Sequence, residues 1–105
     1  MTKSVPQALR DLGELYEERN KMYKNNYLNF GKQLVALFPD GLTLRTEEEF
    51  NRFALFMQLV HKLSRYAHSL LNGGHDDSLD DTSVYAQMLR EYDGLMKEEN
   101  LKGTI

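Results

Sequence analysis

The chain has 105 residues, 41% of them hydrophobic, and its 13 Lys plus Arg against 16 Asp plus Glu give a formal charge of −3. That length sets an expectation of one domain over residues 1–105, with an ordered core over about 5–97 and a polar tail over 98–105. The acidic balance argues against a general binder of nucleic-acid backbone, so nucleic acid is not the expected partner. With zero Cys there is no disulfide framework, no Cys-ligated zinc and no thiol nucleophile. No run approaches the roughly 20 apolar residues of a membrane span. The N-terminal residues have no apolar stretch of signal-peptide type, so a cytoplasmic location without a membrane partner is expected.

Taken in chain order, Ser4 can cap a helix that Pro6 opens, because proline loses nothing where the amide has no intrahelical partner. Val5, Ala8, Leu9, Leu12, Tyr16, Met22 and Tyr23 recur at helical spacing and predict a helix over about 5–25, ended by Asn25-Asn26. Phe30 to Phe38 reads as a short helix stopped by Pro39-Asp40-Gly41, where proline presets φ and glycine accepts positive φ. Leu42 to Arg45 is at most a brief extended piece without a sheet partner. Thr46-Glu47-Glu48-Glu49 is a capping-box sequence and opens what reads as the longest helix, to about Leu71. On that helix Phe50, Phe53, Ala54, Met57, Val60 and Ser64 form one face and Leu55, Leu59, Leu63, Tyr66 and Leu70 another, so packing on two sides is expected. Asn72-Gly73-Gly74 ends it. A last helix starts near Ser78 and carries Val84, Tyr85, Met88, Leu89, Tyr92, Leu95 and Met96. The fold class is all-α: a small bundle of three long helices plus a short one. A chain this short buries little surface alone, so a homo-oligomer, joined through the central helix, is expected.

The segment Gly73-Gly74-His75-Asp76-Asp77-Ser78-Leu79-Asp80-Asp81 gathers four carboxylates where a glycine loop becomes a helix. At about 100° per residue, Asp77 and Asp81 point into the apolar arc of that helix, whereas Asp80 is solvated. A buried acid needs a partner, a ligand or a metal, and capping is the plainer account for Asp76 and Asp77. On the central helix Asn51, Gln58, Lys62, Arg65 and Ser69 form a narrow polar strip. It is either a solvated edge or the side facing the last helix, where Lys62 or Arg65 would neutralise Asp81 or grip a phosphate. Arg19 projects into the stripe built by Leu12, Tyr16 and Tyr23, either to snorkel outward or to meet an anion. Glu14 and Glu17 rotate away from that stripe. His61 and His68 share the face of Phe50 and Met57 and read as core or interface histidines, while His75 sits in the loop beside the acids and can exchange protons near neutral pH.

Lys62-x-x-Arg65-Tyr66, then Gly73 to Asp81 and Tyr85-Ala86, together with Glu18-Arg19, Tyr23, Tyr27 and Phe30-Gly31, resemble small phage and prophage proteins of the nucleotide-modification-associated domain 1 type. These look like distant relatives of the all-α nucleoside triphosphate pyrophosphohydrolases of the MazG and dimeric dUTPase type. The resemblance implies a helical fold, a nucleotide or other phosphate ligand, oligomers and, in the enzymes, Mg²⁺. The candidate ligand-binding residues are Arg19, Lys62, Arg65, His75, Asp77, Asp81 and Tyr85, with Asp77, Asp81 and Glu18 as candidate Mg²⁺ ligands. The enzymes carry an E-x-x-E pair and an E-x-x-D pair. Here Ser78 stands in place of the second Glu, and only Glu14-x-x-Glu17 fits the first. The expectation is therefore a phage-associated nucleotide-binding protein with or without pyrophosphohydrolase activity. Its rival is a non-catalytic accessory protein acting through protein contacts.

Overall fold

The computed structural model describes residues 2–103, apart from the side chains at positions 22, 23, 26 and 101–103. The expected places of the Met22 and Tyr23 side chains in the first stripe, and of Thr104 and Ile105 in the tail, lie outside the described residues. The fold is all-α: a small bundle of four helices, three long and one short.

Helix α1 (Val5–Tyr23) begins where the Ser4 side chain accepts the Gln7 amide, with proline in the first turn. It stops because Lys24 and Asn25 adopt left-handed φ of 47° and 58°. Asn20 holds that stop: its carboxamide accepts the Asn25 amide and donates to the Asn25 side chain, both at 2.7 Å. A single 3₁₀ turn, Asn26–Asn29, which the apolar pattern did not indicate, feeds directly into α2 (Phe30–Leu37). Gly41, at φ 82°, closes the following turn onto the Phe38 carbonyl.

Helix α3 (Glu47–Ser69) opens on the predicted capping box, with Thr46 and Glu49 bonding reciprocally. Helix α4 (Asp76–Gly103), at 28 residues, is the longest, not α3 with 23. It begins two residues before Ser78 and runs on past residue 97, because nothing in Glu98, Glu99 and Asn100 breaks a helix.

The two longest helices form an antiparallel hairpin. Asn51 donates to the Tyr92 hydroxyl at 3.5 Å, Arg52 Nε to Asp93 at 2.7 Å, and Lys62 meets Asp81 at 3.0 Å. The second side of α3 meets α2, where Phe30 stacks on His61 at 4.6 Å, Ser64 donates to Gln33 at 2.8 Å and Phe38 lies against Phe53 and Phe56. Two-sided packing is therefore present, but it closes no core. Among the described residues no apolar side chain is buried, and Ser78 alone is fully enclosed. The molecule is extended, measuring 60 × 41 × 29 Å with a radius of gyration of 18.6 Å. A compact domain of this length would have a radius of about 13 Å. Among the described residues no helix is long and apolar enough to cross a membrane.

Candidate functional site

The loop between α3 and α4 sets the geometry of the site. Gly73 and Gly74 take φ of 91° and 83°, conformations that a side chain would resist. Gly74 donates its amide to the Ser69 carbonyl at 2.8 Å, and a Cβ there would come within 3.1 Å of the Tyr66 hydroxyl. The chain thus turns tightly over Tyr66 before α4 begins.

His75 caps α4, which corrects the expectation that Asp76 or Asp77 would do so. Its Nδ1 accepts the Ser78 amide at 3.3 Å and lies 2.6 Å from the Ser78 hydroxyl. A backbone N–H can only donate, so Nδ1 is the acceptor and the neutral ring carries its hydrogen on Nε2. Asp76 and Asp77 instead occupy the first turn, where the positive end of the helix favours them. Ser78 is 2% exposed, and its hydroxyl is committed to His75. Position 78 is therefore a sealed structural contact.

Asp81 is not buried, contrary to the rotational reading. Its side chain is 51% exposed, because the flank of α4 that it shares with Val84, Met88 and Leu95 is itself open. It is nevertheless partnered. Lys62 Nζ lies 3.0 Å from Asp81 Oδ2, and the lysine side chain is 16% exposed, so α3 and α4 enclose the cation more than the acid. The polar strip on α3 divides accordingly. Asn51 and Lys62 face α4, whereas Gln58 is exposed.

Comparison with family models, curated proteins and solved structures yields no match. Arg65 lies one turn beyond Lys62 and is half-buried, and Tyr85 lies one turn beyond Asp81 and is half-buried. Asp77 and Asp81, four apart, share one side of α4 and are both exposed. Lys62, Arg65, His75, Asp77, Asp81 and Tyr85 all lie in the half of the hairpin nearest its loop, where Lys62 and Asp81 are in contact. Arg19 and Glu18 are exposed on α1. Glu14 and Glu17 are exposed as well.

Among the described residues no three His, Asp or Glu side chains converge as a metal-holding group. Two neighbouring carboxylates fit the usual protein share for Mg²⁺, which keeps several waters and arrives with phosphate oxygens, but they do not make an all-protein cage.

The Arg52 cluster is a contact that the sequence reading missed. Arg52 bridges Glu48 at 3.1 Å and Asp93 at 2.7 Å and lies 5.9 Å over the Tyr92 ring. Glu48 four residues before Arg52 is a legible helix pair. Asp93 was not legible, since it depends on the hairpin register. Its hydrogen bonds to Asp93 and then Glu48 raise the Arg52 pKa.

Proposed function

We propose that this chain binds a nucleotide or related phosphate ligand at the loop end of the α3–α4 hairpin, where Lys62 and Arg65 meet phosphate oxygens and Asp77 and Asp81 meet an accompanying Mg²⁺. The observation that carries this reading is the Lys62–Asp81 pair: an enclosed cation held in place by an acid that is half open to solvent. An anion entering beside Lys62 keeps the lysine charged and displaced only slightly, while the open carboxylate oxygen remains available to a hydrated cation. Asp77 and Asp81 would hold the Mg²⁺, which would supply positive charge to offset that of the phosphate. Tyr85 offers an aromatic face to a base or sugar. The sealed Ser78 favours binding over hydrolysis, because the carboxylate that would complete an E-x-x-D pair is replaced by a hydroxyl already bonded to His75.

A thermal-shift panel of nucleoside mono-, di- and triphosphates with and without Mg²⁺ tests this reading. A ligand at about one hundred times its Kd adds about 2.7 kcal/mol to the folded state. Lys62→Ala is expected to remove most of that shift. No change in melting with any nucleotide plus Mg²⁺, together with no release of phosphate or pyrophosphate, would sink the proposal.

A second reading, a non-catalytic accessory protein working through protein contacts, is favoured by the apolar flanks of α1 and α4, which the chain leaves open. It predicts that Asp81→Asn lowers stability by loosening Lys62 while no nucleotide alters melting in either variant.

A further inference from the structure

Helix α1 carries an apolar seam that its own chain leaves uncovered. Val5, Leu9, Leu12 and Tyr16 follow one another at intervals of four, three and four, and all four are exposed, from 48% at Tyr16 to 73% at Val5. Arg19 falls at the next seam position and is exposed too. Helix α4 carries the same spacing on its open flank, as Asp81, Val84, Met88, Glu91 and Leu95. Val84, Met88 and Leu95 are 59%, 46% and 51% exposed and line an open groove, with Leu55 of α3 on its opposite wall. Intervals of three and four are the condition for two helices to pack along a shared seam. From Val5 to Tyr16, and from Val84 to Leu95, each seam rises over eleven steps, about 16.5 Å at 1.5 Å per residue.

We propose that the groove on α4 receives α1 of a second copy of this chain, antiparallel, in a reciprocal exchange that places Arg19 of the second copy beside Asp81. In this register Val5 lies opposite Leu95, Leu12 opposite Met88 and Tyr16 opposite Val84, and the next step brings Arg19 to Asp81. The one guanidinium on the α1 seam thus meets the carboxylate at the end of the α4 seam. Leu9 falls opposite Glu91, with Arg10 alongside. The parallel register instead puts Leu12 opposite Glu91, with Asp11 alongside, and carries Arg19 away from Asp81. Charge complementarity selects the antiparallel arrangement, which also opposes the two helix dipoles. Each copy offers one α1 and one groove, so exchange between two copies closes with two-fold symmetry. Asp81 Oδ2 is held by Lys62. Arg19 of the second copy then reaches the open side of the carboxylate and brings Glu18 toward the same end. The interface follows from the two seams alone; the part of Arg19 in ligand binding rests on the phosphate-site reading above.

Because the chain has zero Cys, introduced pairs report the register without background. Light scattering on the eluting native chain is expected to give a dimer. The double variant Leu12→Cys with Met88→Cys is expected to form a covalent dimer on oxidation. Val5→Cys with Val84→Cys, which this register holds about 16.5 Å apart along the helix axis, is expected to form none, since bridged Cα atoms must lie within about 7 Å. Arg19→Glu is expected to raise the dimer dissociation constant about tenfold, and Arg19→Lys far less. A native monomer, a disulfide within one chain from the Leu12–Met88 pair, or efficient dimers from the Val5–Val84 pair would each overturn the proposal. A cross-linked dimer that answers no nucleotide leaves the interface standing and removes the phosphate site. A nucleotide response from a chain that stays monomeric does the reverse.

Discussion

His61 shows how a residue read as a core histidine behaves when the core is half open. It stacks on Phe30 at 4.6 Å, and its pKa is lowered from 6.5, first by burial and then by the nearby charges of Arg65 and Lys62. A lowered histidine pKa means that the unfolded chain takes up the proton more readily than the folded one. The stabilising contribution is therefore complete above the unfolded value of 6.5 and is lost as pH falls through the lower folded value. Replacing the ring removes that dependence. Urea midpoints at pH 7.5 and at pH 5.5 should fall closer together for His61→Phe than for the native chain; equal separations in the two would disprove the assignment. Glu49 acts with the same sign at lower pH. The backbone amides of Arg45 and Thr46 lower its pKa, so the capping box strengthens above the ordinary carboxylate range and weakens as acid protonates it.

At the scale of the element, helix ends account for most of what could be read in advance. Ser4 with Pro6, Thr46 with Glu49, and Pro39-Asp40-Gly41 work through local chemistry, and local chemistry is visible in a string of residues. The start of α4 was not legible, because histidine is not among the usual capping residues and four aspartates stood beside it. His75 wins because Nδ1 reaches the Ser78 amide while the Ser78 hydroxyl fixes the ring. His75→Ala should lower the stability of the folded chain by about 1 kcal/mol, and His75→Asn, which supplies another capping oxygen, by much less. Equal losses, read from denaturant midpoints, would show that the cap contributes nothing. The candidate site was legible in composition but not in burial. Helical rotation correctly put Asp77 and Asp81 on the apolar side of α4 and raised Lys62 as a partner for Asp81, yet periodicity shows only which side of a helix is apolar. It says nothing about what covers that side, and here α3 covers only part of it.

The whole molecule is an antiparallel hairpin with α1 and α2 each meeting α3, and its apolar surface is shared out over faces that no described residue closes. Ordering the backbone costs about 1–2 kcal/mol per residue, which burial must offset. Among the described residues no apolar side chain is fully buried, so a single chain draws that compensation from half-buried side chains only. If the proposed exchange holds, folding and association are one equilibrium, as in obligate homodimers. If two chains unfold together, a tenfold rise in protein concentration adds about 1.4 kcal/mol to the dimer at 25 °C and raises its melting temperature by roughly 3 °C for two chains of this size. Calorimetric scans over a hundredfold concentration range should therefore climb by roughly 6 °C. A melting temperature that does not move with concentration would show that the described hairpin is stable alone, and the exposed seams of α1 and α4 would then need no second copy to hold the fold. A nucleotide at the hairpin loop should shift the whole curve upward without changing its slope against concentration, because it binds each site of a dimer already formed. If the nucleotide instead steepened that slope, ligand and partner would be linked through a shared group, and Arg19 beside Asp81 is where that linkage would act.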